Sequence, residues 1–281
     1  MTVRRSPLPW IACAVALGAL TLVLAACGRS GSAARGGGFD VVAAENTWGS
    51  IAAQLAGERA SVTSLIVNPD TDPHSYEPTA QDARTLAGAQ MAIVNGLGYD
   101  SWSSKLLQAS PLDGRIVLNV GATLGLHDGD NPHQWYSPAS VRRVIAAIVA
   151  AYDRLDPRDA SYFAQREHSL LDSGLARYDA LRREIRARYG GVPVGYSESI
   201  FQPLGRDLGL RLLTPQSFAK AVAEGGDVTA ADKQAVDEQA SRRQIAVWVF
   251  NSQNVTPDVQ RVTALARARG IPVATVTETL S

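Results

Sequence analysis

Cysteine is nearly missing from this chain: among 281 residues only Cys13 and Cys27 carry a thiol. Cys13 lies inside the first apolar run and Cys27 just past it, so the residues beyond form no internal disulfide. Charge of one sign is missing too. The 27 basic and 27 acidic residues cancel, which removes the signature of a nucleic-acid binder or of a partner for an acidic surface. Long apolar runs are scarce, and the one that stands out, residues 10–26, spans about 17 residues, the lower limit for a membrane-crossing helix. Catalytic signatures are absent: there is no His-Glu-x-x-His helix, no Gly-x-Ser-x-Gly elbow and no phosphate-binding loop. Asn95-Gly96-Leu97-Gly98 is glycine-rich, yet no third glycine opens a helix after it, so it is not a dinucleotide fingerprint.

Arg4 and Arg5 precede the apolar run, which ends in Leu24-Ala25-Ala26-Cys27-Gly28. A charged start, a short apolar stretch and small residues before a cut make residues 1–26 a secretory signal. The cysteine after Leu-Ala-Ala resembles the bacterial lipoprotein processing box, which implies cleavage before Cys27 and lipid attached to it. Residues 27–38 are rich in glycine and serine and lack apolar periodicity. They read as a flexible tether of about 18 Å root-mean-square span, at ~5–6 Å times the square root of length. The folded part is expected to begin near Phe39, extracytoplasmic and anchored to the cell membrane.

From Phe39 onward, short β-rich runs alternate with helical patterns, the mark of a mostly parallel α/β sheet. Strands are expected at 40–44, 61–67, 91–94 and 116–119, with helices between them. A polar loop, 125–131, then leads to His133. Ser137-Pro138 opens a helix whose Val141, Val144, Ile145, Ile148, Val149, Tyr152 and Leu155 share one face. A second helical pattern, 159–189, would make a rod of roughly 46 Å at ~1.5 Å per residue. Such length suits a bridge between two lobes, although Gly174 interrupts it. Alternation then restarts, with strands expected at 192–195, 211–213, 246–250 and 273–276. The fold class is therefore α/β with two lobes, each a mostly parallel sheet flanked by helices, joined by one long helix. The expected divisions are a first lobe at 39–156, the linking helix at 157–190 and a second lobe at 191–281.

Two Pro-His turns attract attention: Asp72-Pro73-His74-Ser75-Tyr76-Glu77-Pro78 and Asn131-Pro132-His133-Gln134-Trp135-Tyr136-Ser137-Pro138. Proline fixes its own φ and pushes the preceding residue towards extended backbone, so both turns are stiff. A lone histidine is commonly a satisfied structural residue. Here both follow strands, where open α/β sheets place ligands, and neutral imidazole is the commonest metal-binding side chain. Glu198, after the strand at 192–195, and Glu278, after the last strand, stand in matching places in the second lobe. Glu198, which precedes a helix, reads also as an acid complementing the helix dipole, a common feature worth a few tenths of a kcal/mol. His127 with Asp128 and Asp130 reads as a loose capture loop or a solvated one. His168 reads as bland, Glu77 as a partner of His74 or a turn residue, and Trp135 as packing beside the His133 loop.

The stretches DPHSYEPT, VNGLGYDSW, NPHQWYSP, SESIFQPLGRDLGL and VTETL, taken in order, resemble the cluster A-I metal-binding lipoproteins of ABC importers of zinc, manganese or iron. The resemblance runs from Phe39 to the end. It implies two α/β lobes joined by one long backbone helix, with Zn2+ or Mn2+, or alternatively Fe2+, held between them as cargo. The family's ligands fall on His74, His133, Glu198 and Glu278, where Glu278 replaces the usual aspartate. Two neutral histidines and two carboxylates would bring a divalent cation to zero net charge, easing its burial. The absence of thiolate argues against a soft metal. The implied partners are an ABC permease and, through lipid on Cys27, the membrane; a monomer is expected and no nucleic acid. Three alternatives stay open: a binder of haem, siderophore or cobalamin; a zinc-dependent hydrolase; and a surface adhesin. The family continues past its fourth ligand into a terminal helix, whereas the sequence stops at Ser281, so truncation or a different cap is expected.

Overall fold

The computed structural model describes residues 38–69 and 71–280. The signal at 1–26, the lipid attachment at Cys27 and all of the tether but Gly38 lie outside the described residues. Eight strands form two parallel sheets. In the first, β1 (Phe39–Glu45), β2 (Ala60–Ile66), β3 (Met91–Val94) and β4 (Ile116–Asn119) lie in the order β2-β1-β3-β4. The second repeats that order with β5 (Pro193–Tyr196), β6 (Arg211–Leu212), β7 (Val247–Asn251) and β8 (Val273–Val276), as β6-β5-β7-β8. The inner strand β1 is buried at six of seven positions, as expected when helices cover both faces. In a parallel sheet every strand ends on the same edge, so the loops after the strands collect there.

Helices α1 (Asn46–Ala56), α2 (Ala80–Ala87), α3 (Ser101–Ala109) and α4 (Val120–Leu124) connect the first sheet. Helix α5 (Pro138–Leu155) starts where expected: the Ser137 hydroxyl accepts from the Ser140 amide and Pro138 occupies the first turn. Its Val144, Ile145, Ile148, Val149 and Tyr152 are buried among Trp48, Leu55 and Phe163, which make the core of the first lobe. The second lobe packs Phe218, Val236, Val259 and Val262 around Trp248. Helices α8 (Gln202–Asp207), α9 (Gln216–Ala223), α10 (Ala230–Ser241) and α11 (Pro257–Ala268) flank its sheet. Two short helices escape the sequence pattern. α4 has only five residues, and α9 buries just Phe218, Ala219 and Val222.

The long rod is not one uniform helix. It divides into α6 (Ala160–Ser169), a π-helical turn (Leu170–Gly174) and α7 (Ala176–Tyr189). The Leu175 amide donates to the Leu170 carbonyl at 2.9 Å, one residue further back than an α-helix allows. A Cβ on Gly174 would come 3.0 Å from Leu170 Cδ1, so glycine here makes room for the buried Leu170. Beyond this turn α7 buries no residue. Ion pairs tether it instead: Asp179 accepts from Arg142 of α5 and from Arg182 at 2.8 Å, and Arg182 Nε donates to Asp207 at 2.8 Å.

Candidate metal centre

The two histidines arrive by stiff turns. At the first, the Asp72 carboxylate accepts from the His74 amide at 2.9 Å and Pro73 is buried beneath it. The imidazole meets the Tyr99 ring edge-on, centroids 4.6 Å apart. At the second, Asn131 Oδ1 lies 3.0 Å from the His133 amide and 2.9 Å from His133 Nδ1. A carboxamide oxygen only accepts, so Nδ1 carries a proton and donates it. The Nε2 of this ring is buried and has no hydrogen-bond partner. Trp135 packs beside the ring, centroids 5.3 Å apart.

The Nε2 atoms of both rings face one carboxylate oxygen. Glu278 Oε2 lies 3.8 Å from His74 Nε2 and 3.7 Å from His133 Nε2. One donor atom from each of these residues lies within 4.8 Å of the others. A transition-metal ion with bonds of ~2.0–2.2 Å to nitrogen and oxygen fits between donors so spaced. Glu198 does not join this trio. It makes no cap bond at the helical turn that follows it. Its Oε1 accepts from Asn251 Nδ2 at 2.8 Å and its Oε2 from Asn254 Nδ2 at 2.8 Å. Asn251 Nδ2 also donates to Glu278 Oε1 at 2.9 Å, linking Glu198 to the trio through one amide.

Electrostatics separate the two carboxyls. Burial pushes Glu198 up to about 7; the charge of Glu278 adds to this, while His133 and the two asparagines oppose it. Burial also raises Glu278, but His133, His74 and the Tyr99 hydroxyl, which donates to Oε2 at 2.7 Å, outweigh it and hold the group below its usual range. Burial lowers His74, with His133 adding and Glu278 opposing, so this imidazole is neutral and free to ligate near neutral pH. Behind the trio, at the end of β1, Glu45 is fully buried with neither oxygen hydrogen-bonded. Burial and then the charge of Asp100 push its carboxyl well up.

The loop after β3 holds Tyr99 in place. Gly96, Leu97 and Gly98 all have positive φ, and a Cβ on Gly96 would lie 2.5 Å from Asn119 Oδ1. This curl lets the Asp100 carboxylate accept from the amides of Asn95 and Gly96, both at 2.8 Å. Leu97 carries the backbone strain of a left-handed non-glycine residue. Between the lobes, Asn131 Nδ2 donates to the Ser199 carbonyl at 2.7 Å and Tyr136 to the Thr277 carbonyl at 2.9 Å. A cavity of about 330 Å³, its lining including His74, Tyr99, Asp130, Ser199, Lys220 and Glu224, opens beside the trio.

The profile described as "ZnuA: Zinc-uptake complex component A periplasmic" matches residues 41–281. The chain belongs to this family. Among curated members it is 32% identical over 162 residues to the manganese-binding lipoprotein MntA of Halalkalibacterium halodurans, covering 54% of this chain and 53% of that protein. It is 27% identical over 184 residues to the iron-binding protein YfeA of Yersinia pestis, covering 62% and 58% respectively. The chain thus spans little more than half the length of these relatives. Its fold matches the periplasmic zinc-binding protein TroA of Treponema pallidum with a TM-score of 0.70 at 20% identity, over 87% of this chain and 91% of that one. A Mn-bound mutant of a periplasmic metal-binding protein from Candidatus Liberibacter asiaticus gives 0.73 at 19% identity, over 86% and 90%.

In this member of the ZnuA family, the remaining histidines stand apart. His127 is exposed and its amide is bonded to Asp130 at 2.9 Å; His168 pairs with Asp172 at 2.9 Å on an exposed helix face. Glu77 is exposed. Sequence reasoning passed over Asn131, Tyr99, Asn251, Gln253 and Asn254. A run of side-chain amides directly after the apolar strand at 246–250 is the signal that marks the last three.

Proposed function

We propose that this ZnuA-family chain captures a divalent transition metal between its two lobes and delivers it to an ABC importer. His74 and His133 would bind from the first lobe, Glu278 and Glu198 from the second. The observation that carries this reading is His133: its Nδ1 is satisfied by Asn131, and its buried, unpartnered Nε2 faces His74 and Glu278. A metal-ligating histidine typically has its second nitrogen held in this way.

Two nitrogens and carboxylate oxygens without sulfur suit Zn2+, Mn2+ or Fe2+. Relatives named for manganese, iron and zinc span the same choice. The protein would work outside the cytoplasm, held to the membrane by lipid on Cys27, with the permease as its partner. The test is elemental analysis after refolding with competing metals, for wild type and for His74→Ala, His133→Ala, Glu198→Ala and Glu278→Ala. Wild type should retain one equivalent, and each variant should bind more weakly. Unchanged tight binding by the histidine variants would refute the assignment.

A further inference from the structure

We infer that Asn251, which is no ligand itself, sets the metal preference of the site by limiting Glu278 to one coordinating oxygen. This rests on the reading of Glu278 as a ligand. Asn251 is fully buried at the end of β7. Its orientation is unambiguous: Oδ1 accepts from the Gln253 amide at 2.9 Å, so the NH2 group must face the two carboxylates. One hydrogen goes to Glu198 Oε1 at 2.8 Å and the other to Glu278 Oε1 at 2.9 Å. Both hydrogens of the amide are therefore used, one on each acid.

The consequence for Glu278 is geometric. Its Oε2 points at both imidazoles, whereas Oε1 is tied to Asn251. Clasping an ion with both oxygens would require Oε1 to swing towards the imidazoles beside Oε2, out of the position in which the Asn251 amide holds it, leaving a buried N–H without an acceptor, which is costly. The neighbouring Gln253 removes the alternative of moving the whole residue. Its Oε1 accepts from the amides of Glu278 and Thr279, and its Nε2 donates to Thr279 Oγ1 at 2.8 Å. Asn254 completes the arrangement by holding Glu198 Oε2. A carboxylate restricted to one oxygen keeps the coordination number low, which suits tetrahedral Zn2+; Mn2+ prefers six oxygen-rich positions. Removing the Asn251 amide frees Oε1, allows a two-oxygen clasp and moves the balance towards Mn2+.

The experiment measures Zn2+ and Mn2+ affinities by competition with a chelating dye, and the visible absorption of bound Co2+, for wild type, Asn251→Ala, Asn251→Thr and Glu278→Ala. Threonine retains a single hydroxyl donor and nearly the same bulk, and it decides the matter if the alanine variant does not fold. The Zn2+ affinity of the Asn251 variants should fall within the ~10–100-fold range typical of lost outer partners. Mn2+ affinity should fall less, and the strong Co2+ bands of a four-coordinate site should weaken. Equal losses for both metals with an unchanged Co2+ spectrum would overturn the inference while leaving the site intact. Unchanged binding in Glu278→Ala would overturn the ligand reading beneath it.

Discussion

Raising the pH of chelator-treated protein through the range where Glu198 ionises should weaken it, because the folded state resists that ionisation. The folded carboxyl titrates at about 7 against an ordinary 4.5. Above 4.5 the unfolded chain releases its proton first, so the folded state binds more protons and stability falls with rising pH until about 7. The span is ~2.5 units, and at ~1.4 kcal/mol per unit the loss is about 3 kcal/mol. For a chain of this size that corresponds to a Tm decrease of roughly 6–12 °C. Urea unfolding of wild type and Glu198→Gln across this window is the assay. Glutamine presents its NH2 to either Asn251 or Asn254, which are themselves donors, so the variant loses stability at every pH; the diagnostic is its flatter slope. Saturating metal should flatten the wild-type slope as well, since a bound cation offsets the ionised carboxylate. Parallel slopes for wild type and variant would refute the reasoning.

Glu45→Gln should flatten the same profile further, since a carboxyl held well above its ordinary range also costs stability as pH rises above 4.5; urea unfolding at acidic and alkaline pH checks this. Asn131→Ala should weaken metal binding by ~10–100-fold by freeing the His133 ring to rotate and change tautomer, measured by chelator competition. Ile148→Ala should cost about 2–5 kcal/mol, because Ile148 is fully buried in the first-lobe core, and should leave metal affinity in the folded protein unchanged; denaturant unfolding and metal titration separate the two effects.

The α/β alternation is legible in the sequence because the strands are short apolar runs and helices such as α5 have their buried face at regular spacing. That Ser137-Pro138 starts α5 and that Gly174 disturbs the long rod are equally legible, since both follow from local backbone chemistry. The shared strand order of the two lobes is not. Topology depends on the order of apolar runs rather than on residue identity, so no sequence repeat records it. The Pro-His turns point to His74 and His133 because rigid turns are written in neighbouring residues. Asn251 and Tyr99 could not be found in that way: their roles depend on Glu278, 27 and 179 residues away along the chain. Glu198 stands between these cases, since its place after a strand is legible but its two asparagine partners are not.

Because the strands of both sheets run parallel and the ligand loops follow them, the beginnings of the strands lie at the opposite edges. The described chain enters its first sheet at Phe39, the beginning of β1. Whatever precedes Phe39 is therefore joined to the end of the first lobe remote from His74 and His133. The same edge offers a handle for engineering. Gly114, just before β4, has positive φ and open space around its Cα, so a dye or affinity tag inserted there would report on the protein without shadowing its cargo.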